Sequence, residues 1–168
     1  GCDILIHANS DVPEDVPAYG RIKGFKNFCE TNKCDYNILI RDFGKTYDEN
    51  YAGIKNMFEE TEAKYINKTV GIFMSNDTHA NILLNIIVKK YGKLPDKYKI
   101  VGFDNSPISK EAIVPITTVG QQVDKIADEA MQILTVQINA FKKRRPELLS
   151  KPIHKVLTPI LIRRETTR

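Results

Sequence analysis

No apolar run in this 168-residue chain reaches the roughly 18 residues that a membrane-spanning helix needs. The N-terminus shows no secretory signal pattern either. Catalytic signatures are missing: there is no G-x-S-x-G elbow, no P-loop and no glycine-rich dinucleotide turn. His7, His79 and His154 stand at no metal-ligand spacing. Cys2, Cys29 and Cys34 are an odd number with no such spacing either, which points to reduced thiols and a cytoplasmic protein. Charge of neither sign dominates, and a net charge of +4 is too mild to argue for a nucleic-acid face. The one basic cluster, Lys142-Lys143-Arg144-Arg145, complements the negative end of the helix before it, with a phosphate or nucleic-acid contact as the other reading. The sequons at Asn67 and Asn76 matter only in a secreted chain. These absences set aside a membrane protein and disfavour an enzyme, and they imply no metal and no cofactor.

What is present is a soluble composition, 42% hydrophobic and 27% charged, sufficient for one ordinary domain or one large piece of a two-part protein. The chain begins at Gly1 without an initiator methionine, so it is expected to be a fragment that lacks an N-terminal module. Short β-leaning runs at residues 3–8 (DILIHA), 36–40 (YNILI), 70–74 (VGIFM) and 98–103 (YKIVGF) each end in a polar turn. Between them, residues 16–31, 47–65 and 78–91 carry apolar positions at helical spacing, and Gly92 is a natural stop for the third helix. Strand–helix alternation predicts an α/β, doubly wound, mostly parallel sheet with helices on both faces. Beyond it come a crossing segment at 116–119 and a fourth helix at 122–141 with an apolar stripe five turns long. A last strand is predicted at 155–162, placed at an edge or bulged by Pro159.

In a parallel sheet all the strand carboxyl ends open on one side, and ligands bind there. That rim holds His7-Ala8-Asn9, Asp42-Phe43, Ser75-Asn76-Asp77 and Asp104-Asn105, with Arg21 in reach from the first helix. Amides and carboxylates beside an arginine suit the hydroxyls of a sugar or nucleoside. Asn76 and Asp104 read as ligand contacts because neither has an obvious capping duty, whereas Asp77 reads as the helix N-cap. Arg21 has a surface ion pair as its other reading. The paired rim carboxylates suit acid–base work in principle, but no nucleophile or metal stands beside them.

Five stretches, Tyr19-Gly20-Arg21-Ile22-Lys23-Gly24-Phe25, Gly71-Ile72-Phe73-Met74-Ser75-Asn76-Asp77, Val101-Gly102-Phe103-Asp104, Pro115-Ile116-Thr117-Thr118-Val119 and Ile162-Arg163-Arg164-Glu165-Thr166-Thr167, occur in an order and spacing that resembles the effector-binding region of LacI-type transcriptional repressors. The resemblance covers nearly the whole chain. It implies a periplasmic-binding-protein-like core that binds a sugar or nucleobase between two lobes, works as a homodimer and reaches operator DNA through an N-terminal helix-turn-helix absent here. It places Arg21, Asn76, Asp104 and Gln121 among the ligand contacts, with Phe43 as the stacking aromatic. It also implies that residues 1–121 are the C-terminal lobe, 122–150 a return helix that packs on a first lobe missing from this chain, and 151–168 a closing strand and tail.

The leading expectation is therefore the sugar-binding and dimerising part of a transcriptional regulator. A solute-binding receptor for transport is the alternative, and an enzyme acting on a sugar or nucleotide the third. Dimerisation is expected through the third helix and residues 106–114, because that helix looks too apolar for a lone surface.

Overall fold

Period-2 burial sets the sheet. In β1 (Ile4–Asn9), β3 (Val70–Met74) and β4 (Tyr98–Phe103), Ile4, Ile6, Ala8, Val70, Ile72, Met74, Tyr98 and Ile100 face one core. With β2 (Tyr36–Ile40), β5 (Thr117–Gly120) and β6 (Ile160–Ile162) these strands form one sheet in the order β2-β1-β3-β4-β5-β6. The β1–β2, β1–β3, β3–β4 and β4–β5 pairings are all parallel. The computed structural model describes residues 1–16, 18–41, 43–143 and 152–168. They form two compact units, Gly1–Val119 with Leu161–Arg168, and Gly120–Ile160.

In the first unit, α2 (Tyr47–Lys64) and α3 (Asp77–Tyr91) cover the Ile4–Ile6–Ala8 face with Ile54, Met57, Phe58, Leu83, Leu84 and Ile87. The helix α1 (Tyr19–Thr31) leads from β1 to β2, against the direction that α2 and α3 take, so right-handed crossovers place it on the opposite face. There Phe25 meets His7 and Phe73, with ring centroids 5.4 and 6.4 Å away. Helix α2 starts with a capping box between Thr46 and Glu49, and the backbone N–H groups of Lys45 and Thr46 hold the Glu49 carboxyl below its usual range. Gly92, at φ 73°, ends α3 by donating its N–H to Val88 O, as its position predicts.

Several boundaries differ from the sequence reading. Asn76, not Asp77, caps α3, accepting the His79 N–H at 2.8 Å. A short helix, α4 (Ile108–Glu111), was not foreseen. The segment at 116–119 is a full member of the sheet. The last strand is only three residues long, because Pro159 has no N–H to offer a ladder. The apolar residues of α3 are already buried within this chain, so their number does not call for a partner.

In the second unit, α5 (Val123–Lys142) buries only Ala140 and leaves Val123, Ile126, Met131, Leu134, Val136, Ile138 and Phe141 exposed. Residues 152–159, which form no helix or strand, meet this unit through a Lys155–Glu129 ion pair and through Gln122 Nε2 donating to Thr158 O at 2.7 Å. Of the basic cluster, Arg144 and Arg145 lie outside the described residues.

Gly102 shows how closely α3 approaches the sheet. A methyl there would collide with the Asp77 carboxylate and lie 3.2 Å from its Cα. Gly102→Ala is expected to cost roughly 1–3 kcal/mol, read as a lower denaturant midpoint at unchanged slope. An unchanged midpoint would show that Asp77 can move aside.

Candidate functional site

Neighbouring parallel strands put the residues after β3 and the residues after β4 at the same edge. Phe73 stands opposite Val101, so Ser75 and Asn76 reach the level of Phe103 and Asp104. Arg21, in the first turn of α1, closes the gap. Its guanidinium donates to Ser75 O and lies 4.2 Å from the centroid of the Phe103 ring. The structure thus brings Arg21, Asn76 and Asp104 to one edge, beside the point where the chain reverses direction between β1 and β3.

Each of the three is held by its own element. Asn76 spends Oδ1 on the α3 cap, which leaves its amide Nδ2 outside that bond. Asp104 has φ 104°, and Asn105 after it φ 56°, so the chain turns sharply as it leaves β4. The Asp104 N–H donates to Val119 O at 2.9 Å. The buried Asp77 carboxylate accepts from Ser106 N at 2.7 Å, Ser106 Oγ at 3.1 Å and Thr118 Oγ1 at 2.6 Å. Gln121 belongs to the second unit, just before α5.

The aromatic position is less simple. Phe43 is 2% exposed and lies in the core cluster, its ring edge-on to His79 at 4.9 Å. A ring that stacks on a ligand must show a face. Tyr47, first residue of α2 at the same edge of the sheet, is 61% exposed. Only burial separates the two, and burial is not written in the local sequence. Asp42 lies outside the described residues.

Two imidazoles lie close by. His7 is fully buried between Phe25 and Phe73, and its Nδ1 faces Phe73 O at 2.9 Å, so Nδ1 must carry the proton. Its Nε2 has no partner among the described residues. Burial, with a smaller contribution from the Arg21 charge, holds the His7 pKa below the usual 6.5. His79, which shares a 2.7 Å hydrogen bond with Ser75 Oγ, is lowered by burial as well. Asn9 Nδ2, at the end of β1, is also buried without a partner among the described residues. Among the described residues no group of three His, Cys, Asp or Glu side chains gathers as a metal site, and no helix is long and apolar enough to cross a membrane.

Comparison with known proteins adds to this geometry. A family profile described as "Periplasmic binding protein-like domain" matches residues 3–167. The ribose operon repressor of Halalkalibacterium halodurans is 27% identical over 170 residues, covering 100% of this chain and 46% of its own length. The structure of a LacI family transcriptional regulator from Enterococcus faecium with bound ribose superposes with a TM-score of 0.72 at 23% identity, over 99% of this chain and 57% of that one. The lac repressor dimer bound to operator and an anti-inducer gives a TM-score of 0.72 at 16% identity, over 99% of this chain and 53% of that one. The chain spans about half the length of the relatives it matches.

Two outcomes follow from these contacts. Asn76→Ala removes the α3 cap and should cost about 1 kcal/mol, whereas Asn76→Asp caps equally well and should keep the stability. Denaturant midpoints of both variants check the capping role, and equal losses would contradict it. His7, held below 6.5, takes up its proton more readily in the unfolded chain. Stability should therefore fall as pH drops below 6.5, by up to about 1.4 kcal/mol per pH unit from this group. Midpoints at pH 7 and pH 5.5 should differ less in His7→Gln than in the wild type.

Proposed function

Because the chain belongs to the periplasmic binding protein-like domain family, we propose that it is the effector-sensing part of a LacI-type transcriptional regulator, with a sugar as effector. The observation that carries the reading is the gathering of a guanidinium, an amide and a carboxylate (Arg21, Asn76 and Asp104) at the carboxyl edge of adjacent parallel strands. Such a set matches a polyol, with the carboxylate accepting from hydroxyls and the cationic and amide groups donating to them. The relatives support a sugar and a regulator over a transport receptor: one is a ribose operon repressor, and one superposed regulator holds ribose.

Within this reading residues 1–121 are one lobe of the sensor. Residues 122–150 are the return helix that packs on a first lobe, and 151–168 the closing strand and tail, with residues 144–151 lying outside the described residues. Gln121 supplies a further ligand contact from the crossing. Phe43 packs beneath the site and shapes it through His79, while Tyr47 has the exposure that stacking on a sugar ring requires. The exposed stripe of α5 packs on the first lobe. The regulator works in the cytoplasm as a homodimer, with residues 106–114 at the interface. Ile113, 68% exposed, is its one large exposed apolar group in that segment. Operator DNA is bound by a helix-turn-helix elsewhere in the protein. The activity is binding, not catalysis: effector between the lobes favours one arrangement by its differential affinity, and that arrangement sets the DNA affinity.

Asp104→Asn in the intact regulator tests the site. The variant keeps the shape of the side chain and loses its charge, so ribose affinity by calorimetry should fall about 30-fold or more. Wild-type affinity in that variant would remove Asp104 from the site.

A further inference from the structure

We infer that Arg164 is a positioning residue, which holds the turn that presents Asp104 to the effector; its functional meaning rests on the role proposed for Asp104. Asp104 and Asn105 are successive non-glycine residues at φ 104° and 56°. Side chains disfavour this backbone region, and two such residues in a row persist only where the surroundings over-determine them. One restraint comes from Asp77, through Ser106 N and Oγ. Another comes from a residue 59 positions further along the chain. Arg164 Nη2 donates to Asn105 Oδ1 at 2.7 Å, while Nη1 donates to Ile116 O at 2.8 Å and to Ser109 Oγ at 3.1 Å.

All three partners are neutral. The guanidinium therefore acts here as a rigid fork that spans three acceptors, a task a lysine ammonium cannot copy. The fork itself is fixed from behind. Arg164 N donates to Thr117 Oγ1 at 2.8 Å, and Glu165 N donates to Pro115 O at 2.9 Å. Thr166 Oγ1 accepts from Thr117 N at 2.9 Å and donates to Ile100 O at 2.7 Å. The tail that follows β6 is thus bolted to β4 and β5, and its arginine reaches the middle of the strained turn. The carboxylate of Asp104 keeps its direction because the residue after it cannot rotate.

The test compares Arg164→Gln, Arg164→Lys, Asn105→Gly and Asp104→Asn in the intact protein, with D-ribose as the probe. Asn105→Gly keeps a positive φ without strain and deletes only the acceptor. Amide hydrogen exchange at residues 104–106 is expected to quicken about tenfold in both Arg164 variants and in Asn105→Gly, while the amides of β1 and β3 stay protected. Ribose affinity should fall about tenfold in the Arg164 variants. Unchanged exchange at the turn, or an equal increase throughout β1 and β3, overturns the inference. So does ribose affinity that is unchanged in Arg164→Gln but lost in Asp104→Asn. Should Asp104→Asn bind ribose like the wild type, the effector reading fails instead, and the exchange data alone decide whether Arg164 holds the turn.

Discussion

Three hydrogen bonds to one buried carboxylate hold the working edge of this molecule together. Asp77, 1% exposed, accepts from Ser106 N, Ser106 Oγ and Thr118 Oγ1. It thereby joins the first turn of α3 to the turn after β4 and to the middle of β5. A carboxylate taken out of water is tolerated only when such donors surround it, and the helix N-terminus adds a favourable field. Stripped of Asp77, the Ser106 N–H and the Thr118 hydroxyl would lose their partner at about 1–3 kcal/mol each. Gly102 is the other half of the arrangement, because only a missing side chain lets α3 come near enough to the strand. The groups proposed to meet a ligand hang on this joint rather than forming it.

The gross architecture was legible because it rests on periodicity. Short β-leaning runs in β1, β3 and β4 and helical spacing in α2 and α3 both reappear as burial. Gly92 was legible because a left-handed stop has few solutions. Asn76 and Asp77 were exchanged for a physical reason. Both residue types cap equally well, so choosing between them needs the last residue of β3 to within one position. The residue that sequence assigned to the ligand carries the cap, and the one assigned to the cap is the buried joint.

Elsewhere the deciding contact is remote in sequence. Phe43 follows a strand end, just as an exposed stacking ring would, and only the fold of the loop over His79 buries it. Arg164 carries no local sign of its role, since its acceptors lie 48 to 59 residues earlier. The closing motif was readable as a pattern, but its mechanical meaning appears only when Thr117, Thr166 and Asn105 are seen around it.

Ile153 and Leu157 line a groove with Ile126, Ala130 and Ile133 of α5, yet the helix's apolar stripe stays exposed, Phe141 at 76%. Covering it would stabilise by roughly 1.5–3 kcal/mol for each large side chain buried. In the proposed regulator one missing lobe would both cover this stripe and complete the cleft. A ligand shifts such a two-lobed equilibrium only by the difference in its affinity for the two arrangements. Binding energy spent on ordering a floppy contact is lost to that difference. In the proposed regulator a turn clamped in advance by Asp77 and Arg164 would leave little to order, so what Asp104 gained from a ligand would go into moving the lobes.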